Sequence, residues 1–231
     1  PLTLIIGPLE QLLSQTRETA PFRRQLDIML KNARRMLRLI NQLLDFRKFE
    51  GEKMVLKAEY TDIVGFIDDI THSFEEYASE KQINLRFVHP ADKYDMWFDP
   101  DKLDKILFNL LSNAFKFTPE KGTIGLEIET DIPPDPSESD IEGYLRISIS
   151  DTGKGIPEKE LPHLFERFYQ ADNKMALHQG SGLGLSLTRN FVEIHRGRIN
   201  VDTSPAGTIF QVLLPTGEKH LTPEQKYIPD S

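Results

Sequence analysis

The chain contains no cysteine, which excludes a disulfide framework, a thiolate metal centre and a cysteine nucleophile, and fits a reducing compartment. It has no run near the roughly 18 to 20 consecutive apolar residues needed to cross a bilayer, and no visible signal peptide, so the piece reads as soluble. Positive charge is scarce: 28 Lys and Arg against 36 Asp and Glu leave a formal net charge of -8. That balance disfavours a nucleic-acid-binding surface, which needs clustered cations to neutralise phosphates. The local exception is Arg23, Arg24, Lys31, Arg34, Arg35 and Arg38, a pattern that reads as the solvated face of a helix. What is present is 231 residues, 39% of them hydrophobic, enough for one substantial domain and a smaller one. The first residue is Pro1 and not Met, so the chain reads as part of a longer protein whose targeting segments lie elsewhere.

Two apolar stripes open the chain. Leu2, Ile5, Ile6, Leu9, Leu12 and Leu13 recur at threes and fours, one face of an amphipathic helix that Pro8 should kink. Thr19, Ala20 and Pro21 mark a break. Met29, Ala33, Met36, Ile40 and Leu43 then form a heptad-like seam, widened by Leu26, Leu30, Leu37, Leu44 and Phe46. Such a hairpin over residues 1–52 is too narrow to bury its own apolar faces, and pairing with a second copy would give a dimeric four-helix bundle. Packing on the downstream domain as a monomer is the alternative.

Beyond Gly51 the pattern turns to mixed α and β. A strand is expected over Val55 to Tyr60, and one helix from the Asp62 cap to about Lys81 with Ile63, Phe66, Ile67, Ile70, Phe74 and Tyr77 inward. Short strands follow at Asn84 to Val88 and Met96 to Phe98. A helix capped by Asp99 or Asp101 then runs through Phe115, and a hairpin spans Ile124 to Glu129 and Tyr144 to Ser150. The connecting loop, Asp131 to Gly143, is rich in Pro, Asp and Ser and should be mobile. A last helix from Gly184 to His195 precedes strands at Arg198 to Asp202 and Ile209 to Leu214. This order predicts an α+β fold, a two-layer α/β sandwich over 53–217, with 218–231 as a C-terminal linker.

Three stretches carry chemistry. Asn109, Asn113 and Lys116 share one helix face. Amide oxygens suit a hard cation such as Mg²⁺, and the lysine can reach a phosphate. Asp151 ends a strand and opens Asp151-Thr152-Gly153-Lys154-Gly155, where a carboxylate can accept a hydrogen bond from the exocyclic amine of adenine while guanine would be repelled; a plain turn is the other reading. Gly180-Ser181-Gly182-Leu183-Gly184 runs into the last long helix, where free amides and the positive dipole end favour an anion. It is neither a P-loop nor a Rossmann fingerprint.

Together these stretches resemble the sensor histidine kinases. Asn109-Leu-Leu-Ser-Asn113-Ala-Phe-Lys116-Phe-Thr is similar to that family's N box, Asp151 to Gly155 to its G1 box, Phe165-Glu-Arg-Phe168 to its F box, and Gly180 to Gly184 to its G2 box, all in order. The resemblance implies a Bergerat ATP-binding fold. It implies Mg²⁺ on Asn113 and Asn109, Lys116 near the phosphates, Asp151 reading adenine N6, and Phe117 lining or stacking on the base. It also implies that Gly153, Gly155 and Ile156 shape the pocket, that Gln170 to Gly184, with Gly180, Ser181, Gly182 and Leu183, forms a lid over the triphosphate, that Thr208 assists at the adenine end, and that Arg167 touches phosphate. Phe165 and Phe168 read as core.

Hydrolases of the same fold carry Glu where this chain has Asn109, and a neutral amide cannot take a proton from water. The resemblance therefore implies a kinase that uses ATP and Mg²⁺ to phosphorylate a histidine. In the family that histidine lies on the first hairpin helix, and by alignment it would precede Pro1 by five residues. None of the histidines present, at 72, 89, 163, 178, 195 and 220, lies on the hairpin. The chain is thus expected to bind nucleotide without autophosphorylating, and a silent nucleotide-binding or dimerisation module is the competing reading. The implied partners are a second copy of the chain and a response-regulator receiver domain, towards which the tail from Leu214 leads in hybrid sensors. The implied setting is the cytoplasmic portion of a membrane-bound bacterial sensor, with no nucleic acid or membrane contact by this part.

Overall fold

The computed structural model describes residues 54–169 and 182–227, with scattered positions between Ile6 and Arg47. The chain divides into two units, Pro1–Lys53 and Met54–Ser231. In the first, the described positions are helical, and Leu9, Leu26 and Leu30 form a buried cluster with Ile6 against it. The apolar stripe of the second helix splits. Leu26, Leu30 and Ala33 are buried, whereas Met29, Met36, Ile40, Leu43 and Leu44 are exposed, so Ala33 leaves the seam that the heptad spacing gave it. Pro8, Thr19 and the cationic run from Arg23 to Arg38 lie outside the described residues.

The second unit holds a five-stranded sheet in the order β2-β4-β5-β7-β6 and a two-stranded sheet of β1 and β3. The strands are β1 (Glu59–Asp62), β2 (Asn84–Val88), β3 (Asp95–Phe98), β4 (Thr123–Ile132), β5 (Gly143–Asp151), β6 (Arg198–Ser204) and β7 (Gly207–Thr216). Only β2 with β4 runs parallel in the large sheet. Four α-helices accompany them, α1 (Ile63–His72), α2 (Glu75–Glu80), α3 (Pro100–Phe117) and α4 (Gly184–Ile194). One sheet face meets the helices. Ile124, Leu126 and Ile128 of β4, Leu145, Ile147 and Ile149 of β5, and Phe210, Val212 and Leu214 of β7 alternate onto it and are buried. Opposite them, α3 buries Leu103, Ile106, Leu107, Leu110, Leu111, Ala114 and Phe115, each worth about 1.5 to 3 kcal/mol if fully removed from water. The fold is the expected two-layer α/β sandwich.

The helix expected to reach Lys81 breaks at Ser73. The Ser73 hydroxyl donates to the Ile70 carbonyl at 2.6 Å, and Phe74 turns to stack on Phe115, ring centroids 5.4 Å apart. A serine that bonds its own backbone and an aromatic drawn to a tertiary partner together outweigh helical periodicity. The first strand begins at Glu59 and not at Val55. The loop after β4 is pinned: Ile141 is buried, Glu138 accepts from Tyr144 and pairs with Arg198, and Asp140 pairs with Arg196.

A buried polar junction ties the linker, α3 and α4. Asp99, 2% exposed, caps α3 by accepting from the Lys102 N–H at 3.1 Å. It also accepts from the Lys57 N–H at 2.8 Å and pairs with the Lys102 ammonium. The Asp99 N–H donates to Nε2 of His195 at 3.1 Å, while Nδ1 of His195 lies 2.7 Å from the Phe191 carbonyl. The proton of His195 therefore sits on Nδ1, and burial lowers the ring's pKa, keeping it neutral. Beyond β7 the chain returns to the linker: Ala58 N–H donates to the Gln225 carbonyl and Tyr227 N–H to the Ala58 carbonyl, both at 2.7 Å. Leu56, Ala58 and Leu221 bury together beneath Trp97 and Ile194.

Replacing Asp99 with Ala removes the cap and strands a buried ammonium, so urea melts should show a loss of about 3 to 5 kcal/mol. His220, pushed down to about 4 chiefly by burial and by Arg196, binds its proton more weakly when folded. The melting temperature should therefore hold above pH 6.5 and fall as pH drops towards 4, with a shallower fall in His220→Gln.

Candidate functional site

Helix α3 presents Asn109, Asn113 and Lys116 towards one end of the sandwich, with Asn109 and Asn113 half-buried and Lys116 exposed. The helix stops because Thr118 turns extended and returns its hydroxyl to the Ala114 carbonyl at 2.7 Å. Phe117, 45% exposed, stands at this stop. The ammonium of Lys116 lies 4.9 Å from its ring centre and that of Lys154 5.9 Å. Two cations thus gather at the rim where α3 meets the loop after β5.

Asp151 ends β5 opposite Thr208 of β7. Its carboxylate follows Ile147 and Ile149 on the helix-facing side, accepting from the Gly153 N–H at 2.7 Å. Burial raises its pKa, against which the Gly153 and Thr208 backbone donors hold the charged form. A half-buried carboxylate with only backbone donors is set to accept a further N–H from a ligand. Thr208 is buried beside it. On the opposite sheet face a depression of about 320 Å³ runs past Thr123, Ser150, Asp202, Ser204 and Ile209, behind the strand that carries Asp151.

The loop after Asp151 is fixed by close approach. Gly155 has φ +69°, and a Cβ there would stand 1.9 Å from the Ser204 carbonyl oxygen, so only glycine fits. The next residue, half-buried Ile156, donates its N–H to the Thr203 hydroxyl at 2.8 Å. Thr203 escaped the sequence reading because nothing in its spacing marks it. The β6–β7 hairpin brings it there.

Helix α4 begins at Gly184 with Leu183, buried, in the cap position and no side-chain cap, which leaves its first amides open to an anion. Gly182 accepts from the Phe168 N–H at 2.9 Å. Phe168 itself is 61% exposed with φ +61°, so it is not the core residue the sequence suggested: its backbone is committed to Gly182 and turns the ring outward. Phe165 is half-buried under the Arg189 guanidinium, 5.8 Å from its ring centre, and Arg167 is exposed. Gly180, Ser181 and the lid expected from Gln170, including His178, lie outside the described residues. Of the remaining histidines, His72, His89 and His163 are exposed, and His195 and His220 are buried.

Among the described residues no group of three or more His, Cys, Asp or Glu could hold a metal ion. A hard divalent cation would instead be held by amide oxygens such as that of Asn113, together with ligand oxygens. No described helix is long and apolar enough to cross a membrane. The arrangement is an N–H-accepting carboxylate at one end, an open helix N-terminus at the other, and an amide-and-lysine face between them.

Comparison with known proteins agrees with this layout. Residues 98–218 match the family HATPase_c, described as Histidine kinase-, DNA gyrase B-, and HSP90-like ATPase, and residues 1–52 match HisKA, the His Kinase A (phospho-acceptor) domain. Histidine kinase P4 of Formosa agariphila is 38% identical over 226 residues, which are 96% of this chain and only 16% of that protein. Full-length ShkA, solved in complex with AMPPNP, superposes with a TM-score of 0.71 at 25% identity, over 94% of this chain and 44% of that one. Histidine kinase ThkA, solved in complex with the response regulator TrrA, shares the fold at a TM-score of 0.64 and 19% identity, over 95% of this chain and 59% of that one.

Gly155→Ala should fold with a loosened loop: hydrogen exchange at residues 151 to 156 should accelerate at least tenfold, the cost of roughly 1 to 3 kcal/mol of strain at a positive φ.

Proposed function

Because the chain belongs to the Histidine kinase-, DNA gyrase B-, and HSP90-like ATPase family, among its sensor histidine kinases, we propose that residues 54–227 bind Mg²⁺-ATP and direct its γ-phosphoryl group to a histidine. The observation that carries this reading is Asp151: its half-buried carboxylate gains a partner in the adenine exocyclic amine, whereas guanine would present an oxygen to it. Phe117 offers its exposed ring to the base, and Thr208 closes the adenine end. The open amides of α4 and the ammonium of Lys116 hold the phosphates, with Arg167 as a further phosphate contact. Asn113 and Asn109 offer amide oxygens to the metal, and bound Mg²⁺ would neutralise charge developing on the transferred group. Gly180 and Ser181 would complete the cover over the phosphates.

Asn109 separates transfer from hydrolysis. An amide cannot deprotonate water, so the site lacks the base that the hydrolases of this fold use. The acceptor histidine is not among residues 1–53, and phosphoryl transfer then requires an acceptor helix supplied from outside this sequence. The exposed stripe of Met29, Met36, Ile40, Leu43 and Leu44 supports pairing of two hairpins into a four-helix bundle. A response-regulator receiver domain would take the phosphoryl group onward, and the setting would be the cytoplasmic portion of a membrane-bound sensor.

Calorimetric titration tests the nucleotide site. Wild type should bind ADP and a non-hydrolysable ATP analogue with Mg²⁺ and ignore GTP, while Asp151→Asn should lose at least tenfold in affinity. A folded protein that binds no adenine nucleotide would overturn the reading. Binding should also weaken on acidification from a higher pH than an ordinary aspartate would give, since the Asp151 pKa is raised and only its ionised form accepts the amine. Light scattering should give a dimer for wild type and a monomer for Ile40→Glu.

A further inference from the structure

Asn109 does not reach into the site as an independent side chain. Its Nδ2 donates to the Thr188 hydroxyl at 2.8 Å, and its Oδ1 lies so close to Gly184 that a Cβ there would stand 2.2 Å away. Gly184 and Thr188 are four residues apart on α4 and therefore share the face turned to α3. Thr188 is 1% exposed, so its hydroxyl has no competing water. The amide is thereby held with its nitrogen towards the interior of α4 and its oxygen towards the helix's first residue.

From this juxtaposition we infer that Thr188 is a positioning residue for phosphoryl-group binding, fixing Asn109 so that an oxygen, and not an NH₂ group, faces the start of α4. The inference rests on the proposed Mg²⁺-ATP site. A cation needs an oxygen ligand, and a carboxamide free to flip presents a donor half the time. Thr188 also makes Asn109 the joint between two helices: any shift of α4 that accompanies anion binding at its N-terminus pulls on the same amide. Sequence spacing cannot reveal this contact, because 79 positions separate the partners.

Thr188→Val keeps the side-chain shape and removes the hydroxyl, whereas Thr188→Ser keeps the hydroxyl. Titration of AMPPNP with Mg²⁺ and with EDTA, in wild type and both variants, separates the possibilities. Thr188→Val should lose about tenfold of the Mg²⁺-dependent gain in affinity, the worth of one hydrogen bond, with EDTA affinity and melting temperature near wild type. Thr188→Ser should restore the gain, and in an Asn109→Ala background Thr188→Val should change nothing further. An unchanged Mg²⁺ dependence in Thr188→Val, an equal loss with and without Mg²⁺, or an undiminished effect in the Asn109→Ala background would overturn the inference. If wild type itself binds no AMPPNP, the proposed nucleotide site fails and this inference falls with it.

Discussion

The Asp99 carboxylate sits where the linker, β3, α3 and α4 converge, and the position of every functional side chain on α3 depends on what it does there. A buried charge is tolerable only when it is paired and its lone pairs are occupied. Asp99 meets that condition with the Lys102 ammonium and the N–H groups of Lys57 and Lys102. Its own N–H engages His195 at the far end of α4. One end of the α3–α4 pair is thus tied by Asp99 and His195, the other by Asn109 with Gly184 and Thr188. Between the ties the ammonium of Lys105 lies over Phe191, 5.7 Å from its ring centre. The two helices run antiparallel and are clamped at both ends, which fixes the amide-and-lysine face against the open N-terminus of α4.

The two ties differ in kind. The Asp99 junction is deep and ionic, and His195 must stay neutral to accept from the Asp99 N–H, since a second ring proton would point donor at donor. The Asn109 tie is neutral, half-buried and adjacent to glycine. Rigidity is concentrated at the end away from the chemistry, and the smaller, uncharged contact stands where ligand binding can act on it. Asp151 follows the same division: its strand is locked in the sheet centre, while its carboxylate is left with backbone donors and a raised pKa.

Much of this was legible in the residues because the motifs are local. Asp99 as a cap, the three polar positions on α3, the Asp151 turn and the glycines before α4 each sit within a few positions of what defines them, and periodicity gave the two layers. What escaped was long-range. Nothing near Ser73 foretells that Phe74 will stack on Phe115 and break a helix. Nothing around Thr203 or Thr188 announces a hydroxyl aimed at Ile156 or at Asn109. Phe168 reads as core from its type alone, whereas its bond to Gly182 turns it out. The loop after β4, polar enough to read as mobile, is held by Arg196 and Arg198 from a hairpin more than 50 positions later.

The short pairing of Ala58 with residues 225 to 227 is parallel, and it sets how the domain bears load. Chain entering through the linker and chain leaving past Tyr227 lie side by side and run in the same direction. Tension applied between them slides one segment along the other, so the two 2.7 Å bonds on either side of Ala58 resist together in shear instead of opening one after the other like a zip. The apolar plug of Leu56, Leu221 and Trp97 shields them from water, and the pull is handed directly to Lys57 and so to Asp99. Mechanically the domain behaves as a shackle closed by its own two ends, with the helix that carries the site bolted to the closing pin.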